Sequence, residues 1–380
     1  MSRFLLSCGG TGGHLSPGVA LAEGLLARGH EVVLLISRKK VDARLIEKYP
    51  QLHFRPMPGT GFAWHPVQFL RFAGSQLAAL AFCRRVVRQF RPDVIVGFGG
   101  FTSVPAAIAG RLAGVAVTLH ESNRVPGLAV RALGRFAARV YLPLGLRLNG
   151  VGAAATRHVG LPVRREMVRL PASAAREALG LDANQRVLAI LGGSQGASVL
   201  NAWARSRLDS LAAAGVQVCC VTGLGKGGAE TIERRTSAGE RVRAVFLPFC
   251  DRMAELLSAA DLVVSRAGAG TLAELVRCET PAVLIPYPHA ASDHQRANAR
   301  FFERQGGGIV VEQSALGGLE AEVLELLGND WLLRKFRGNL RRIDRANALD
   351  LMVHDLEAIA RCHADPGGRT AATAAASAAV

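Results

Sequence analysis

The chain has 380 residues, of which 49% are hydrophobic, with 42 glycines, 7 cysteines and a formal net charge of +16. That composition is ample for two hydrophobic cores, so two domains are expected. No uninterrupted apolar stretch approaches the ~20 residues of a membrane-spanning helix, and the odd set of cysteines, without a C-x-x-C pair, excludes a disulfide frame or a zinc site.

In chain order, Phe4–Ser7 reads as a strand, Pro17–Arg28 as a helix and Glu31–Ile36 as a strand. A helix near Phe69–Phe90 follows, then a strand at Asp93–Gly97, a helix at Val104–Ala113 and a strand at Ala116–His120. Leu128–Ala138 reads as a helix and Val140–Leu142 as a short strand. Gly160-Leu161-Pro162-Val163-Arg164 reads as a hinge, after which strands recur near 187–191, 216–222, 242–246, 262–264 and 282–285. A helix is expected over Leu319–Leu327 and an amphipathic one over Ile343–Ala360; from His363 the Gly, Ala, Thr and Pro content predicts a disordered tail. Strands alternating with helices predict α/β architecture, with parallel sheets covered on both faces and ligands at the carboxyl ends of the strands.

Two glycine-rich loops occupy corresponding places in the two halves. Gly9-Gly10-Thr11-Gly12-Gly13-His14 follows Phe4-Leu5-Leu6, and Gly192-Gly193-Ser194-Gln195-Gly196-Ala197 follows Val187–Leu191. Backbone N–H groups at such turns, with the positive end of a helix dipole, form anion sites. The first loop lacks the third glycine of a dinucleotide fingerprint. The next strand ends Ile36-Ser37-Arg38-Lys39-Lys40, with no acid to hold a ribose hydroxyl, so an NAD enzyme is disfavoured. No Gly-Lys-Ser/Thr follows, which excludes a P-loop.

The charge is one-sided. Residues 1–165 hold 22 Lys/Arg against 6 Asp/Glu, whereas residues 166–380 hold 24 of each. A basic first half implies an anionic partner, either nucleic acid, an anionic membrane or a phosphorylated substrate.

Taken whole, residues Gly9 to Gly18 resemble the signature of the MurG family of lipid-linked glycosyltransferases. The likeness continues through Val96–Pro105, His120-Glu121-Ser122-Asn123, Pro162-Val163-Arg164 and Gly192–Ala197. It ends with Ser265–Thr271 and Glu274, then Ile285–His289 with Asp293-His294-Gln295 and Asn298-Ala299. The blocks stand in the family's order from residue 4 to about 300. The resemblance implies a GT-B fold, two Rossmann-like doubly wound parallel-sheet domains with a cleft between them. Residues 1–163 would take the lipid acceptor and 164–341 the UDP-N-acetylglucosamine (UDP-GlcNAc) donor. Residues 342–362 would form a helix crossing back to the first domain, and 363–380 the tail.

The implied reaction transfers N-acetylglucosamine to the C4 hydroxyl of undecaprenyl-diphospho-N-acetylmuramoyl-pentapeptide (lipid I), with inversion. On the donor side, the N–H groups of Ala269, Gly270 and Thr271 would bind phosphate and Glu274 the ribose, with Leu272 and Ala273 in the same turn. The backbone at Cys250 would read the uracil, Ser194 would touch phosphate, Arg164 would reach the donor, and His294 and Gln295 would bond the sugar. Thr11, Gly12, Gly13 and Asn123 would complete that site. Gly12, Gly13, Gly99 and Gly100 would hold the acceptor diphosphate. A hydroxyl nucleophile needs a general base; His14 is the first choice and Glu121 the second.

No Asp-x-Asp pair occurs, so the leaving UDP must be stabilised by helix dipole, N–H groups and arginine; no metal and no cofactor are expected. The aromatics Phe62, Trp64, Phe69 and Phe72 beside Arg71, Arg84, Arg85, Arg88 and Arg91 suit an anionic membrane surface. With the resemblance, this implies that the chain would be a peripheral protein on the cytoplasmic face of the inner membrane. The family usually carries a more basic stretch where Gly59-Thr60-Gly61-Phe62 stands. Competing readings are a diacylglycerol glycosyltransferase, a UDP-GlcNAc 2-epimerase acting on free donor, or a basic nucleic-acid-binding protein. No known nucleic-acid motif accompanies the charge, so no nucleic-acid partner is expected.

Overall fold

The computed structural model describes residues 1–9, 12–38, 46–60, 66–193, 196–344 and 347–364. Its contacts divide the chain into two units. The first comprises Met1–Ser122, Pro126–Arg164 and the segment from Asn347; the second comprises Asn123–Val125 and Arg165–Ala346. Nearly all of the expected tail, from residue 365 on, lies outside the described residues.

The first unit is built on β1 (Arg3–Ser7), β2 (Glu31–Ile36), β3 (His53–Pro56), β4 (Val94–Gly97), β5 (Ala116–His120), β6 (Arg139–Leu142) and β7 (Thr156–His158). They form a parallel sheet in the order β3-β2-β1-β4-β5-β6-β7. Its central strands are apolar throughout because both faces are covered. Phe4 and Leu6, with Leu34 and Val96, pack on Leu15, Val19 and Leu25 of the helix Gly12–Leu26. Leu5, with Val33 and Ile95, packs on Ala79, Cys83 and Val86 of the helix Pro66–Phe90.

The first helix begins five residues before the expected Pro17, which lies inside it. Proline has no N–H to give to the preceding turn, yet burial of Leu15, Val19 and Leu21 holds the helix together across it. The expected helix Leu128–Ala138 is shorter: α-helix over Leu128–Leu133, then a 3₁₀ turn at Gly134–Phe136.

The second unit carries β8 (Arg186–Leu191), β9 (Val216–Val221), β10 (Glu230–Arg235), β11 (Arg241–Leu247), β12 (Leu262–Ser265), β13 (Ala282–Leu284) and β14 (Gly308–Val310). Their order is β10-β11-β9-β8-β12-β13-β14, and all neighbours are parallel except β10 and β11. The antiparallel β10 was not expected. Its sequence, Glu-Thr-Ile-Glu-Arg-Arg, has the charges of an edge strand.

The amphipathic helix expected over Ile343–Ala360 is instead the end of one helix and most of another. Asp330–Ile343 closes the second unit, and Ala348–Ala364 packs in the first. There Met352, Val353 and Leu356 join the core of the helix Gly12–Leu26. Two carboxylates pin it. Asp355 accepts from Arg139 Nε at 2.8 Å and from the buried Tyr141 hydroxyl at 2.8 Å. Glu357 pairs with His30 Nε2 at 3.0 Å and Arg28 Nη1 at 3.2 Å. The substitution Asp355→Ala is expected to cost about 2 kcal/mol, because it strands the tyrosine hydroxyl and the guanidinium together. Denaturant unfolding measures this, and a change within error would mean that the helix is held by its apolar face alone.

Candidate active site

In the first unit the strand order reverses between β1 and β4, and both strands feed a helix at that point. β1 runs through Cys8 and Gly9 toward the helix Gly12–Leu26, and β4 through Phe98 and Gly99 into the helix Gly100–Leu112. Neither helix has an acidic residue in its first turn, and Gly99 gives no side-chain cap. Their first N–H groups therefore converge as unneutralised donors. Thr102 Oγ1 donates to Gly9 O at 2.9 Å and Ser103 Oγ to Gly99 O at 2.7 Å, fixing one turn against the other.

His14 lies in the first turn of its helix, not in the loop where the sequence placed it. Its half-buried ring packs over Gly99 and Gly100. A Cβ on Gly100, whose φ is +71°, would stand 3.2 Å from His14 Nδ1, so glycine serves both the backbone conformation and the approach. The site predictions Gly12, Gly13, His14, Gly99 and Gly100 thus come together, while Thr11 lies outside the described residues.

Two residues at the end of β5 complete this region. Glu121 is buried, and its Oε2 accepts from Gly127 N at 2.7 Å, so the carboxylate orients its own loop. His120, which was not singled out as a site residue, is fully enclosed against Phe98. Burial pushes its pKa down to about 4, a hydrogen bond to the Gly160 backbone opposes this, and the charge of His14 adds to the lowering. Arg164 is buried in this unit and donates from Nη1 to the Tyr49 hydroxyl at 3.2 Å.

In the second unit the order reverses between β8 and β12. Gly192 and Gly193 follow β8, and Ser194 lies outside the described residues. Gly196, at φ +66°, closes against Thr222 O, which a Cβ would meet at 2.0 Å. After β12 the chain passes Arg266 and Ala267 to Gly268, an N-cap without a side-chain hydrogen bond, and the helix Ala269–Arg277 begins. Ala269, Gly270, Thr271, Leu272, Ala273 and Glu274 all lie in its first two turns, half-buried. Its opening N–H groups are thus available to an anion, with Glu274 one turn on.

Arg266 does not extend toward a ligand. It donates to Ile285 O at 3.1 Å, Pro286 O at 3.2 Å and Gln313 Oε1 at 2.6 Å, bracing the loop after β13. Burial lowers its pKa from the usual arginine range. Cys250, buried beyond the end of β11, has its thiol pKa raised by burial. Gln295 Oε1 accepts from Tyr287 N at 3.0 Å, and His294 Nδ1 lies 2.7 Å from Ala291 O. Both open the helix His294–Arg304, directly after Ser292 and Asp293, two non-glycine residues at φ +51° and +52°. Such backbone strain is concentrated at functional sites.

Asn123 groups with the second unit, where Asn298 Nδ2 donates to its Oδ1 at 3.0 Å and to Ala267 O at 3.1 Å. Two polar groups beside the site were missed from sequence. Asn298 was visible only as part of a motif, and Lys226, whose Nζ donates to Gly196 O at 3.2 Å, sits in an unremarkable Gly-rich turn. Among the described residues no group of three or more His, Cys, Asp or Glu is placed to hold a metal ion.

Comparison with known proteins agrees with this geometry. The glycosyltransferase family 28 N-terminal domain model matches residues 4–142, and the C-terminal domain model matches residues 187–335. The chain is 62% identical over 374 residues to the UDP-N-acetylglucosamine--N-acetylmuramyl-(pentapeptide) pyrophosphoryl-undecaprenol N-acetylglucosamine transferase of Opitutus terrae, covering 98% of this chain and 99% of that one. It is 33% identical over 369 residues to the protein of the same name from Geotalea uraniireducens, covering 93% and 97%. The crystal structure of Acinetobacter baumannii MurG matches with a TM-score of 0.66 at 25% identity, over 94% of this chain and 99% of that chain. Two Rossmann-like units, the family models over both halves and full-length relatives at this identity give one assignment: the chain has the GT-B fold and belongs to glycosyltransferase family 28, among its MurG-type N-acetylglucosaminyltransferases.

Proposed function

We propose that this chain transfers N-acetylglucosamine from UDP-GlcNAc to the C4 hydroxyl of lipid I, giving lipid II and UDP for peptidoglycan synthesis, and so serves cell-wall growth, shape and division. The observation that carries the reading is the 62% identity, over 98% of the chain, to a transferase named for that reaction. It favours transfer over an epimerase, a diacylglycerol glycosyltransferase or a nucleic-acid-binding role.

The reaction is a single displacement. The acceptor C4 oxygen bonds to C1 of the sugar as the bond from C1 to the UDP oxygen breaks, so the α-linked donor gives a β-linked product. An imidazole nitrogen of His14 takes the hydroxyl proton. Glu121, already bonded to Gly127 N, orients the loop after β5. The N–H groups of Gly12, Gly13, Gly99 and Gly100 hold the lipid diphosphate. Those of Ala269, Gly270 and Thr271 stabilise the charge developing on UDP, with Glu274 on the ribose, His294 and Gln295 on the sugar and the backbone of Cys250 at the uracil. Thr11, Asn123, Arg164 and Ser194 complete the donor contacts.

Because backbone dipoles supply the stabilisation, turnover is metal-independent. Label transfer from UDP-GlcNAc to a lipid I analogue is expected to proceed undiminished in EDTA. Loss of transfer in EDTA with recovery on adding magnesium would contradict this assignment of charge stabilisation.

The acceptor is a membrane lipid, and the enzyme works as a peripheral protein on the cytoplasmic face of the inner membrane. Among the described residues no helix is long and apolar enough to cross a membrane. The helix Pro66–Phe90 exposes Leu77 (70%) together with Arg71, Arg84, Arg85 and Arg88, and Arg91 follows it. Phe62 and Trp64 lie outside the described residues. Each basic residue near an anionic surface contributes about 1 kcal/mol. Replacing Arg84 and Arg88 with glutamine is therefore expected to weaken binding to phosphatidylglycerol vesicles roughly 30-fold. Unchanged co-sedimentation of the double variant would remove this helix from the membrane contact.

A further inference from the structure

A small cavity of about 80 Å³ lies in the second unit, away from the carboxyl ends of the strands where the donor residues gather. It sits beside Asp261, immediately before β12, and Cys278 and Glu279, which follow the helix Ala269–Arg277. Its charges do not balance. Buried Asp261 accepts from Arg176 Nη2 at 2.8 Å, Arg186 Nη1 at 3.1 Å and Arg337 Nη2 at 3.5 Å. Glu279 accepts two bonds from Arg341, each at 2.8 Å, and one from Arg169 Nη1 at 2.5 Å. Five guanidiniums therefore share these two carboxylates, with Asp330 adding a third at Arg186.

The arginines are not equivalent. Arg176 is saturated, since its Nε and Nη1 donate to Ala259 O and Ala183 O. Arg337 makes one long hydrogen bond among the described residues, although a guanidinium has five N–H donors. Burial lowers its pKa from the usual arginine range, Asp261 opposes this, and the charge of Arg169 lowers it again. Arg169 and Arg337 both line the cavity. Ser258 lines it too; its Oγ accepts from Leu170 N at 2.9 Å, and its own hydrogen is given to no acceptor among the described residues. Glu279 holds its ion pairs from φ +53°, at a helix end where glycine is favoured.

We propose that this cavity binds one tetrahedral oxyanion of phosphate size, between Arg337 and Arg169, with the Ser258 hydroxyl donating to it. An anion there supplies the charge that two mutually repelling guanidiniums lack and uses donors that are otherwise idle.

The test is calorimetric titration with inorganic phosphate, at ionic strength fixed with sodium chloride, on protein saturated with UDP so that nucleotide-phosphate positions are filled. One saturable component that depends on Arg337 and Arg169 is expected, apart from any phosphate held at the acceptor glycine turns, whose heat substitutions at these two arginines leave unchanged. Arg337→Gln and Arg169→Gln should each weaken that component about tenfold or more, and Ser258→Ala about threefold. Arg169 is 39% exposed in its side chain, so its variant carries the test if the Arg337 variant does not fold. The proposal is overturned if phosphate gives no saturable heat, or if its affinity is the same in the glutamine variants as in the parent.

Discussion

Replacing His14 with alanine is expected to lower kcat by roughly 100- to 10,000-fold while changing the KM for UDP-GlcNAc by no more than about threefold. The effect is large because a sugar hydroxyl is a poor nucleophile until its proton has somewhere to go. The KM is spared because the proposed donor contacts, from Ala269 to Glu274, lie on a different unit from His14. A merely structural role predicts something else. If the ring only filled the space over Gly99 and Gly100, glutamine, which keeps much of its volume, would restore turnover. Steady-state kinetics of His14→Ala and His14→Gln separate the cases. A near-normal kcat in the glutamine variant would remove His14 from proton transfer.

The second large effect is a loss of stability in mild acid centred on His120. Its pKa falls from 6.5 to about 4 because the ring is fully buried. Between those values the unfolded chain takes up a proton that the folded chain refuses. Stability is therefore fully present above pH 6.5 and declines as pH falls toward 4, in total by about 3 kcal/mol. Carboxylates with lowered pKa, such as Glu279 and Glu357, lose their contribution only at lower pH, from below their ordinary value of 4.5. Urea unfolding at pH 7 and pH 5 should show the decline in the parent protein and a flatter dependence in His120→Gln. Equal slopes would mean that the histidine is solvated or paired in the folded state.

Much of this architecture could be read from residues in sequence because it rests on local pattern. Phe4-Leu5-Leu6 before a glycine turn, and Val187–Leu191 before another, each mark a buried parallel strand that ends in a glycine-rich segment. The apolar positions leave no other use for the segments. The reading failed where tertiary context overrode local chemistry. Pro17 looks like the start of a helix and lies inside one. β10 is absent from the expected strands because an edge strand keeps its charges and shows no apolar run. The helix Asp330–Ile343 buries Leu333, Phe336 and Leu340 on one face, a spacing present in the sequence but masked by five basic residues.

The candidate site divides in the same way. His14, the glycines around it and the segment from Ala269 to Glu274 belong to contiguous motifs, and it is the family resemblance of those motifs that singles them out. The supports around them are distant in sequence. Tyr49 meets Arg164 across 115 positions and Gln313 meets Arg266 across 47, and no local rule links such pairs. Arg266 is an example: it stands inside a family motif block, and the structure gives its donors to backbone and to Gln313.

The most direct measurement is product analysis after incubating the protein with UDP-GlcNAc and a lipid I analogue, followed by release of the sugar from the lipid. The reaction proposed here predicts a β-linked disaccharide at the muramoyl C4 hydroxyl, with UDP released in equal amount and donor unchanged when acceptor is omitted. An α linkage, or conversion of UDP-GlcNAc to its C2 epimer without acceptor, would contradict it.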